Sequence, residues 1–465
     1  MKIKFGTDGW RAIIAREYTV EGVLRVSIAA AQWMKANGHN KVIIGYDCRF
    51  AGKMFAIAAA TAFCQHGIQV LIDTNFVSTP MVSLGVLKYN AGLGIVITAS
   101  HNPPDYNGYK LKASYGGPSI PKDISEVEAL IPDRSNMQME TLEALEATEL
   151  LSYVNLEDLY VEHIRANVDM PVLLKIQDQM AYDAMFGAGQ NVMKRLFPNA
   201  VHLHCSYNPS FEGTAPEPID RNLRVLSQVI ADNDQLTFGL ANDGDADRIG
   251  MYDEDGVFVD AQRLLLLLLK YLYEYKGLTS GKVVCSFSVT DKLKKLADSY
   301  GLTYVTTKIG FKHIAEIMSV EDVLIGGEES GGIAVKGHIP ERDGIWTGLL
   351  LMEYMAKTGK SLKELIQDIF EEVGRFDFYR DDLHLTEVQK QTAIAKCRQG
   401  IEHFGDFKVQ DFDDLDGFRY GLDQGAWVMI RPSGTEPVLR VYAQGEDMSQ
   451  VRRVLDQTKA TLLAD

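Results

Sequence analysis

The segment KVIIGYDCRFAGKMFAIAAATAFCQHGIQVLID, residues 41–73, decides the fold. It begins with an apolar run typical of a buried strand, continues with helical spacing that stops at a glycine, and ends with a second apolar run. Residues 78–90 then predict another helix, and LGIVITAS, residues 93–100, predicts a third strand. Because strands that alternate with helices need crossover connections, this order predicts a largely parallel sheet with helices on both faces.

The same alternation returns twice along the chain. Residues 178–248 and residues 281–332 each lead to an apolar strand that is followed by a polar loop containing glycine. After about residue 373 a helix, a hairpin and a last amphipathic helix predict a small α+β domain. We therefore predict three similar α/β units with mixed, mostly parallel sheets and a C-terminal α+β domain, arranged around a central cleft. The predicted domains are residues 1–150, 151–255, 256–372 and 373–465.

Composition limits the class of protein. The chain has 465 residues and a formal net charge of −16, which argues against a nucleic-acid or anionic-membrane partner, since both need an extended basic surface. Its five cysteines form no CxxC pair, and its first residues contain no apolar region of a signal peptide, so we expect a cytoplasmic protein. The run of six leucines at 264–269 is too short to span a bilayer and predicts a buried helix. The sequence is compatible with a monomer or a homodimer.

The loop NDGDADR, residues 242–248, contains three aspartates at alternate positions. Carboxylates that converge in such a loop suit Mg²⁺ or Ca²⁺. An EF-hand is excluded because Arg248 stands where its sequence requires glycine and because the flanks are typical of strands. A solvated acidic turn is the alternative to a metal site.

Ser100 is the last residue of the third predicted strand and lies in TASHNPPDYNGYK, residues 98–110. The surrounding residues lack the GxSxG pattern of a hydrolase, and we expect the adjacent His101 to point away from the serine. A serine that carries a phosphoryl group needs only cations and a positioning loop, and we expect Gly108 to permit a turn there. The alternative is a serine that simply caps a helix or turn.

Two further loops contain groups that bind ligands. GGEESGG, residues 326–332, offers Glu328 and Ser330 as partners for vicinal sugar hydroxyls. RPSGTEP, residues 431–437, offers a guanidinium, two hydroxyls and a glycine, which suit a phosphate. Each also has a purely structural interpretation, as an acidic turn and as the end of a hairpin. Because ligands bind at the carboxyl ends of strands in α/β sheets, we expect the loops to share one site.

Together these loops resemble those of the α-D-phosphohexomutase family, in the order that the family shows them. TASHNP resembles its phosphoserine loop, DGDADR its metal loop, GEESGG its sugar-recognition loop and RPSGTEP its phosphate-binding loop. The opening FGTDGWR also resembles the family's N-terminal loop, so the similarity extends over essentially the whole chain.

The resemblance implies a reaction and the residues that perform it. A phosphoryl group on Ser100 would pass to a hexose 1-phosphate, and the resulting 1,6-bisphosphate would turn end for end before returning its other phosphate. Mg²⁺ would be required, with glucose 1,6-bisphosphate as intermediate and activator. The implied catalytic residues are Ser100, Lys110, Arg11 and His101, with Lys110 a possible acid/base. The implied metal ligands are Ser100, Asp243, Asp245 and Asp247, with Arg248 beside them. The implied substrate contacts are Glu328, Ser330, Lys312, Arg431, Ser433, Gly434 and Thr435.

The chain departs from the family pattern at one position. Many bacterial members read GExSGH, and here Gly332 replaces that histidine, a candidate acid/base. His338 is a possible substitute. Tyr106, Tyr109 and Glu329 resemble the glucose-handling branches, so we expect a phosphoglucomutase.

Four alternatives remain open at this stage. They are a phosphomannomutase or an enzyme with both activities, a phosphoglucosamine mutase, a non-catalytic sugar-phosphate sensor and a serine hydrolase.

Overall fold

The computed structural model describes residues 2–6, 8–433 and 438–464, and the chain forms two compact units. The first unit comprises residues 1–284 and 310–365, and the second comprises residues 285–309 and 366–465. The serine loop and the aspartate loop both lie in the first unit.

The first sheet is built around the strand–helix–strand segment predicted from residues 41–73. Its elements are β1 (Trp10–Ile13), α1 (Val20–Ala36), β2 (Lys41–Tyr46), α2 (Gly52–Gln65), β3 (Gln69–Ile72), α3 (Thr79–Lys88), β4 (Leu93–Ile97), β5 (Tyr106–Ala113), α4 (Pro121–Ala129), α5 (Leu142–Glu146) and β6 (Leu151–Tyr153). The strand order is β1-β5-β4-β2-β3-β6, and β2 pairs in parallel with both β3 and β4. The apolar residues of β2 and β4 are buried under the helices, as their continuous apolar runs require.

The segment after Ser100 differs from the prediction. Residues 106–113 form strand β5, antiparallel to β4 and β1, and Gly108 lies inside it opposite Arg11 instead of in a turn. A Cβ at position 108 would lie 2.5 Å from the carbonyl oxygen of Thr98, so this glycine permits close packing of backbones. The consequence for the site is that Lys110 stands on a rigid strand.

The second sheet carries the aspartate loop. Its part of the chain contains α6 (Leu156–Asn167), α7 (Met170–Leu173), β7 (Met180–Asp183), α8 (Gln190–Leu196), β8 (Val201–Leu203), α9 (Arg224–Ala231), β9 (Phe238–Asn242), β10 (Ile249–Tyr252) and β11 (Phe258–Val259). The strand order is β11-β10-β9-β7-β8, with β7 parallel to β8 and β9. Strands β9 and β10 are antiparallel neighbours, so the loop between them is a tight connection at one end of these two strands.

The next stretch of chain contains α10 (Ala261–Lys270), β12 (Lys282–Ser286), α11 (Asp291–Ser299), β13 (Tyr304–Thr307), α12 (Phe311–Met318), β14 (Val323–Gly327), β15 (Ile333–Val335), α13 (Gly344–Thr358) and α14 (Leu362–Val373). All six leucines at 264–269 are buried in α10, as predicted. Strands β14 and β15 form a hairpin, and its connection is the predicted sugar-recognition loop.

The end of the chain contains β16 (Asp377–His384), α15 (Glu387–Gln399), β17 (His403–Phe404), β18 (Phe407–Asp413), β19 (Phe418–Leu422), β20 (Trp427–Pro432), β21 (Val438–Gly445) and α16 (Met448–Leu463). The strand order is β16-β21-β20-β19-β18-β17, and every pair is antiparallel. One face of this sheet and the two helices share a single apolar core.

The predicted fold class is confirmed: α/β parts with mixed sheets precede a C-terminal part with an antiparallel sheet. The domain boundaries stay predictions. Within the part of the chain that the structure describes, no helix combines the length and the apolar character needed to cross a bilayer.

Candidate active site

The three aspartates of the loop between β9 and β10 converge. Asp243, Asp245 and Asp247 are fully buried, and one carboxylate oxygen of each lies within 4.8 Å of those of the other two. Among the described residues, the Oδ1 atoms of Asp245 and Asp247 have no hydrogen-bond partner. Since buried carboxylate oxygens without partners are costly, and since hard oxygen ligands suit Mg²⁺, the donor set fits this ion.

Ser100 lies directly against this loop. Its Oγ donates a hydrogen bond of 2.7 Å to Asp243 Oδ2, although 143 residues separate the two. Ser100 is buried and has a φ of 52°, a left-handed backbone conformation that is uncommon for serine and is often found at functional sites. The two loops can approach because position 244 is glycine: a Cβ there would lie 2.5 Å from the Ser100 carbonyl oxygen.

His101 does not point away from the serine. Its Nδ1 lies 3.2 Å from Ser100 Oγ, so the expectation that neighbouring side chains diverge is wrong here. The left-handed turn at Ser100 departs from the extended geometry in which adjacent side chains take opposite directions. Burial lowers the pKa of His101, and the nearby charges of Arg248 and Arg11 lower it further. A neutral imidazole beside the serine hydroxyl is the result.

Lys110 reaches the aspartates from β5. Its Nζ lies 2.7 Å from Asp245 Oδ2, 2.9 Å from Asp247 Oδ2 and 2.9 Å from Asp8 Oδ2. Burial by itself would lower the pKa of Lys110, but the three carboxylates outweigh it and the pKa is raised. Lys110 is therefore a buried ammonium that could neutralise charge or donate a proton.

Two arginines complete the positive surroundings of Ser100. Arg11 Nη1 donates to Asn102 Oδ1 at 2.8 Å, in the loop that follows the serine. The backbone N–H of Arg248 donates to Asp243 Oδ1 at 3.0 Å, and its guanidinium lies 3.6 Å from Glu217. Their action on a transferring phosphoryl group stays a prediction.

The predicted sugar-recognition loop is attached to the metal loop. Residue Gly332 forms an isolated bridge with Arg248, and Ile249 N donates to Gly331 O at 3.1 Å. Glu328 is buried, and its Oε1 accepts from Gly310 N at 2.8 Å, whereas Ser330 and Lys312 are half-buried. Burial raises the pKa of Glu328, against the opposing charge of Arg342.

The predicted phosphate-binding residues lie in the second unit. Arg431 Nη2 is 3.3 Å from Asp416 Oδ2, and Lys390 Nζ donates to the carbonyl oxygen of Ser433 at 2.6 Å. Gly434 and Thr435 lie outside the described residues. Their role, and that of Arg431 and Ser433, in binding phosphate stays a prediction.

The structure places His338 in a separate cluster. Its Nε2 lies 2.8 Å from Asp343 Oδ2 and its Nδ1 lies 3.1 Å from His163 Nε2, while the Trp346 ring stacks on it. Both ring nitrogens thus have partners outside the serine and aspartate loops. This arrangement argues against His338 as the substitute acid/base.

Sequence analysis missed Arg49, which holds the serine loop in place. Its guanidinium donates to four backbone carbonyl oxygens, at distances of 2.6 to 3.0 Å, those of Ser100, Asn102, Pro103 and Tyr106. Asp47 lies 3.4 Å from Arg49 and accepts from Thr98 Oγ1, and burial raises the pKa of Asp47 to about 6 against the charge of Arg49. The position of these residues just after β2, at the carboxyl end of a parallel strand, could have identified them.

Arg49→Lys is expected to lower turnover about a hundredfold and to destabilise the protein by ~1–3 kcal/mol, because one ammonium satisfies fewer of the four carbonyls. Steady-state kinetics and thermal unfolding measure the two effects. Arg25→Lys is the matched control, since Arg25 is a buried arginine on α1 that donates to the Pro132 carbonyl. Equal turnover in both variants would contradict this role of Arg49.

Comparison with known proteins agrees with this geometry. Four segments match the family described as phosphoglucomutase/phosphomannomutase: residues 2–138, 158–256 and 260–373 match its alpha/beta/alpha domains I, II and III, and residues 385–461 match its C-terminal domain.

Relatives match along nearly their full length. The chain is 30% identical over 464 residues to a phosphoglucomutase/phosphomannomutase of Thermococcus kodakarensis, covering 97% of this chain and 96% of the relative. It is 30% identical over 471 residues to a phosphoglucosamine mutase of Desulforamulus reducens, covering 97% of each. A crystal structure from Thermus thermophilus, whose name assigns it provisionally to the phosphomannomutases, has a TM-score of 0.87 and 31% identity and covers 99% of both chains.

Profiles of all four domains, relatives of full length and a buried serine beside three aspartates agree: this chain belongs to the phosphoglucomutase/phosphomannomutase family of mutases, which are intramolecular phosphotransferases.

Proposed function

We propose that this chain interconverts glucose 1-phosphate and glucose 6-phosphate through a phosphoserine at Ser100, with Mg²⁺ and with glucose 1,6-bisphosphate as the intermediate. The observation that carries this proposal is the 2.7 Å contact between Ser100 Oγ and Asp243, inside a cluster of buried carboxylates. The hydroxyl that accepts the phosphoryl group must lose its proton, and the serine is left as a hydroxyl after its P–O bond breaks. Transfer in the opposite sense then regenerates the phosphoserine from the bisphosphate.

The parts of this reaction are proposed for the following residues. Bound Mg²⁺ would be held by the three aspartates and would neutralise charge on the transferring phosphoryl group. Lys110 and Arg11 add fixed positive charge, and His101 hydrogen-bonds at the serine. Glu328, Ser330 and Lys312 are the proposed contacts of the sugar. Arg431, Ser433, Gly434 and Thr435 are proposed to bind the phosphate that is not reacting.

The preference for glucose is the finer part of the proposal. Glu329 stands where glucosamine mutases usually have glutamine, which supports glucose, whereas the relative from Desulforamulus reducens is named for glucosamine and the Thermus structure for mannose. The competing functions are therefore those of a phosphoglucosamine mutase and of a phosphomannomutase. We also propose a cytoplasmic location, which the five scattered cysteines, none of them in a CxxC pair, support.

Rates with the 1-phosphates of glucose, mannose and glucosamine, measured side by side with Mg²⁺ and a trace of the matching bisphosphate, test the substrate. We expect kcat/KM to be highest for glucose 1-phosphate, by about tenfold, because one hydroxyl or amine contact is worth roughly that factor. A glucosamine preference would contradict the choice of sugar. Absence of turnover with all three would favour a non-catalytic sensor.

A further inference from the structure

Position 332 has no room for a side chain, and the group that fills the space is Arg342. A Cβ built on Gly332 would lie 2.4 Å from Arg342 Cδ and 3.2 Å from its Cγ. These are atoms in the middle of the arginine side chain, so they move only if the guanidinium moves. The place where many family members have a histidine is thus occupied by an arginine from ten residues further along this chain.

The guanidinium of Arg342 contacts carboxylates from two different loops of the site. Its Nη2 lies 2.7 Å from Asp247 Oδ2 in the metal loop and also contacts Asp8 Oδ2 in the N-terminal loop. Its Cζ lies 5.4 Å from the centre of the Phe311 ring, and the side chain is 3% exposed. Arg342 therefore connects the metal loop with the residues around the sugar-recognition loop.

We propose that Arg342 is a positioning residue that orients Asp247 and Asp8, and that Gly332 is the matching position that leaves space for it. An arginine stays protonated at neutral pH, so Arg342 places a permanent cation against Asp247. The part of the inference that concerns turnover rests on the proposed mutase function. The part that concerns the metal loop does not.

Mg²⁺ titration calorimetry and steady-state kinetics of Arg342→Gln test the proposal. Removal of a cation that touches Asp247 is expected to tighten Mg²⁺ binding about fivefold, because the remaining carboxylates attract the ion more strongly. Turnover at saturating Mg²⁺ is expected to fall about a hundredfold, because Asp247 and Asp8 keep the contact with Lys110 but lose the second cation that orients them. General loosening of the fold would instead weaken Mg²⁺ binding and lower turnover. Arg342→Lys keeps the charge and should hold Mg²⁺ affinity within about twofold of wild type while recovering much of the turnover.

Gly332→Ala tests the matching position. In the wild-type background, Gly332→Ala should tighten Mg²⁺ binding and lower turnover as Arg342→Gln does. In the Arg342→Gln background it should change neither quantity further, since the two residues act as one unit. Arg419→Lys, at a half-buried arginine that lies over the Trp427 ring, is the control and should leave Mg²⁺ affinity unchanged.

The proposal is overturned if Arg342→Gln weakens Mg²⁺ binding or keeps full turnover, or if the effects of the two substitutions simply add. Should Gly332→Ala fail to fold, the comparison of Arg342→Gln with Arg342→Lys still decides. Should wild type turn over none of the three hexose phosphates, the proposed function fails, while the Mg²⁺ titrations still decide whether Arg342 acts on the metal loop.

Discussion

Ser100→Ala is expected to reduce turnover about ten-thousandfold while hexose phosphate still binds within a fewfold of wild-type affinity. The substitution removes the oxygen that would carry the phosphoryl group, and no other hydroxyl is shown to contact Asp243 among the described residues. It leaves Glu328, Ser330 and Lys312, the proposed contacts of the sugar, in place. Coupled-assay kinetics and calorimetric titration with glucose 6-phosphate measure the two quantities.

The matched control for this substitution is Ser125→Ala, which removes an exposed hydroxyl that donates to the Pro121 carbonyl. Its turnover should equal that of wild type. Mass spectrometry of protein incubated with glucose 1,6-bisphosphate should find phosphate on wild type and none on Ser100→Ala. Substantial turnover by Ser100→Ala would refute the phosphoserine. Labelling of Ser100 by a phosphonylating reagent, without mutase activity, would instead support the hydrolase alternative.

Asp245→Asn is expected to weaken Mg²⁺ binding about a hundredfold and to slow turnover at low Mg²⁺ by a similar factor. The amide keeps the shape of the carboxylate but loses its charge, and Asp245 Oδ1 is one of the buried oxygens without a partner in the described structure. The 2.7 Å ion pair with Lys110 is lost as well. Calorimetric titration with Mg²⁺, and kinetics as a function of Mg²⁺ concentration, measure the effect.

Part of the lost rate should return at high Mg²⁺, because mass action compensates for weaker binding. Asp232→Asn, an exposed acid at the end of α9, controls for the change in net charge and should behave as wild type. Full activity of Asp245→Asn at low Mg²⁺ would show that the loop does not bind the catalytic ion.

Local pattern was sufficient for the strand–helix–strand centre of the first sheet and for the aspartate loop of the site. Two continuous apolar runs, with helical spacing between them, predicted β2, α2 and β3. The reason is that a parallel strand buried on both faces needs a continuous apolar run. Alternate aspartates between two apolar strands predicted the convergence of Asp243, Asp245 and Asp247, because a tight loop holds nearby residues together whatever surrounds it. These features depend on residues within a few positions of one another.

Contacts between distant segments needed the folded chain. Gly108 predicts a turn in the sequence, yet it lies inside β5, which carries Lys110 to Asp245, 135 residues away. The contact of His101 with Ser100 depends on a left-handed backbone at the serine, and the support of the serine loop by Arg49 depends on neighbouring strands in the sheet. Arg342 fills the space above Gly332 for the same kind of reason. Spacing along a chain determines which residues share a strand or loop, whereas the order of strands and the packing of loops determine which charges meet, and no periodicity within one segment encodes that order.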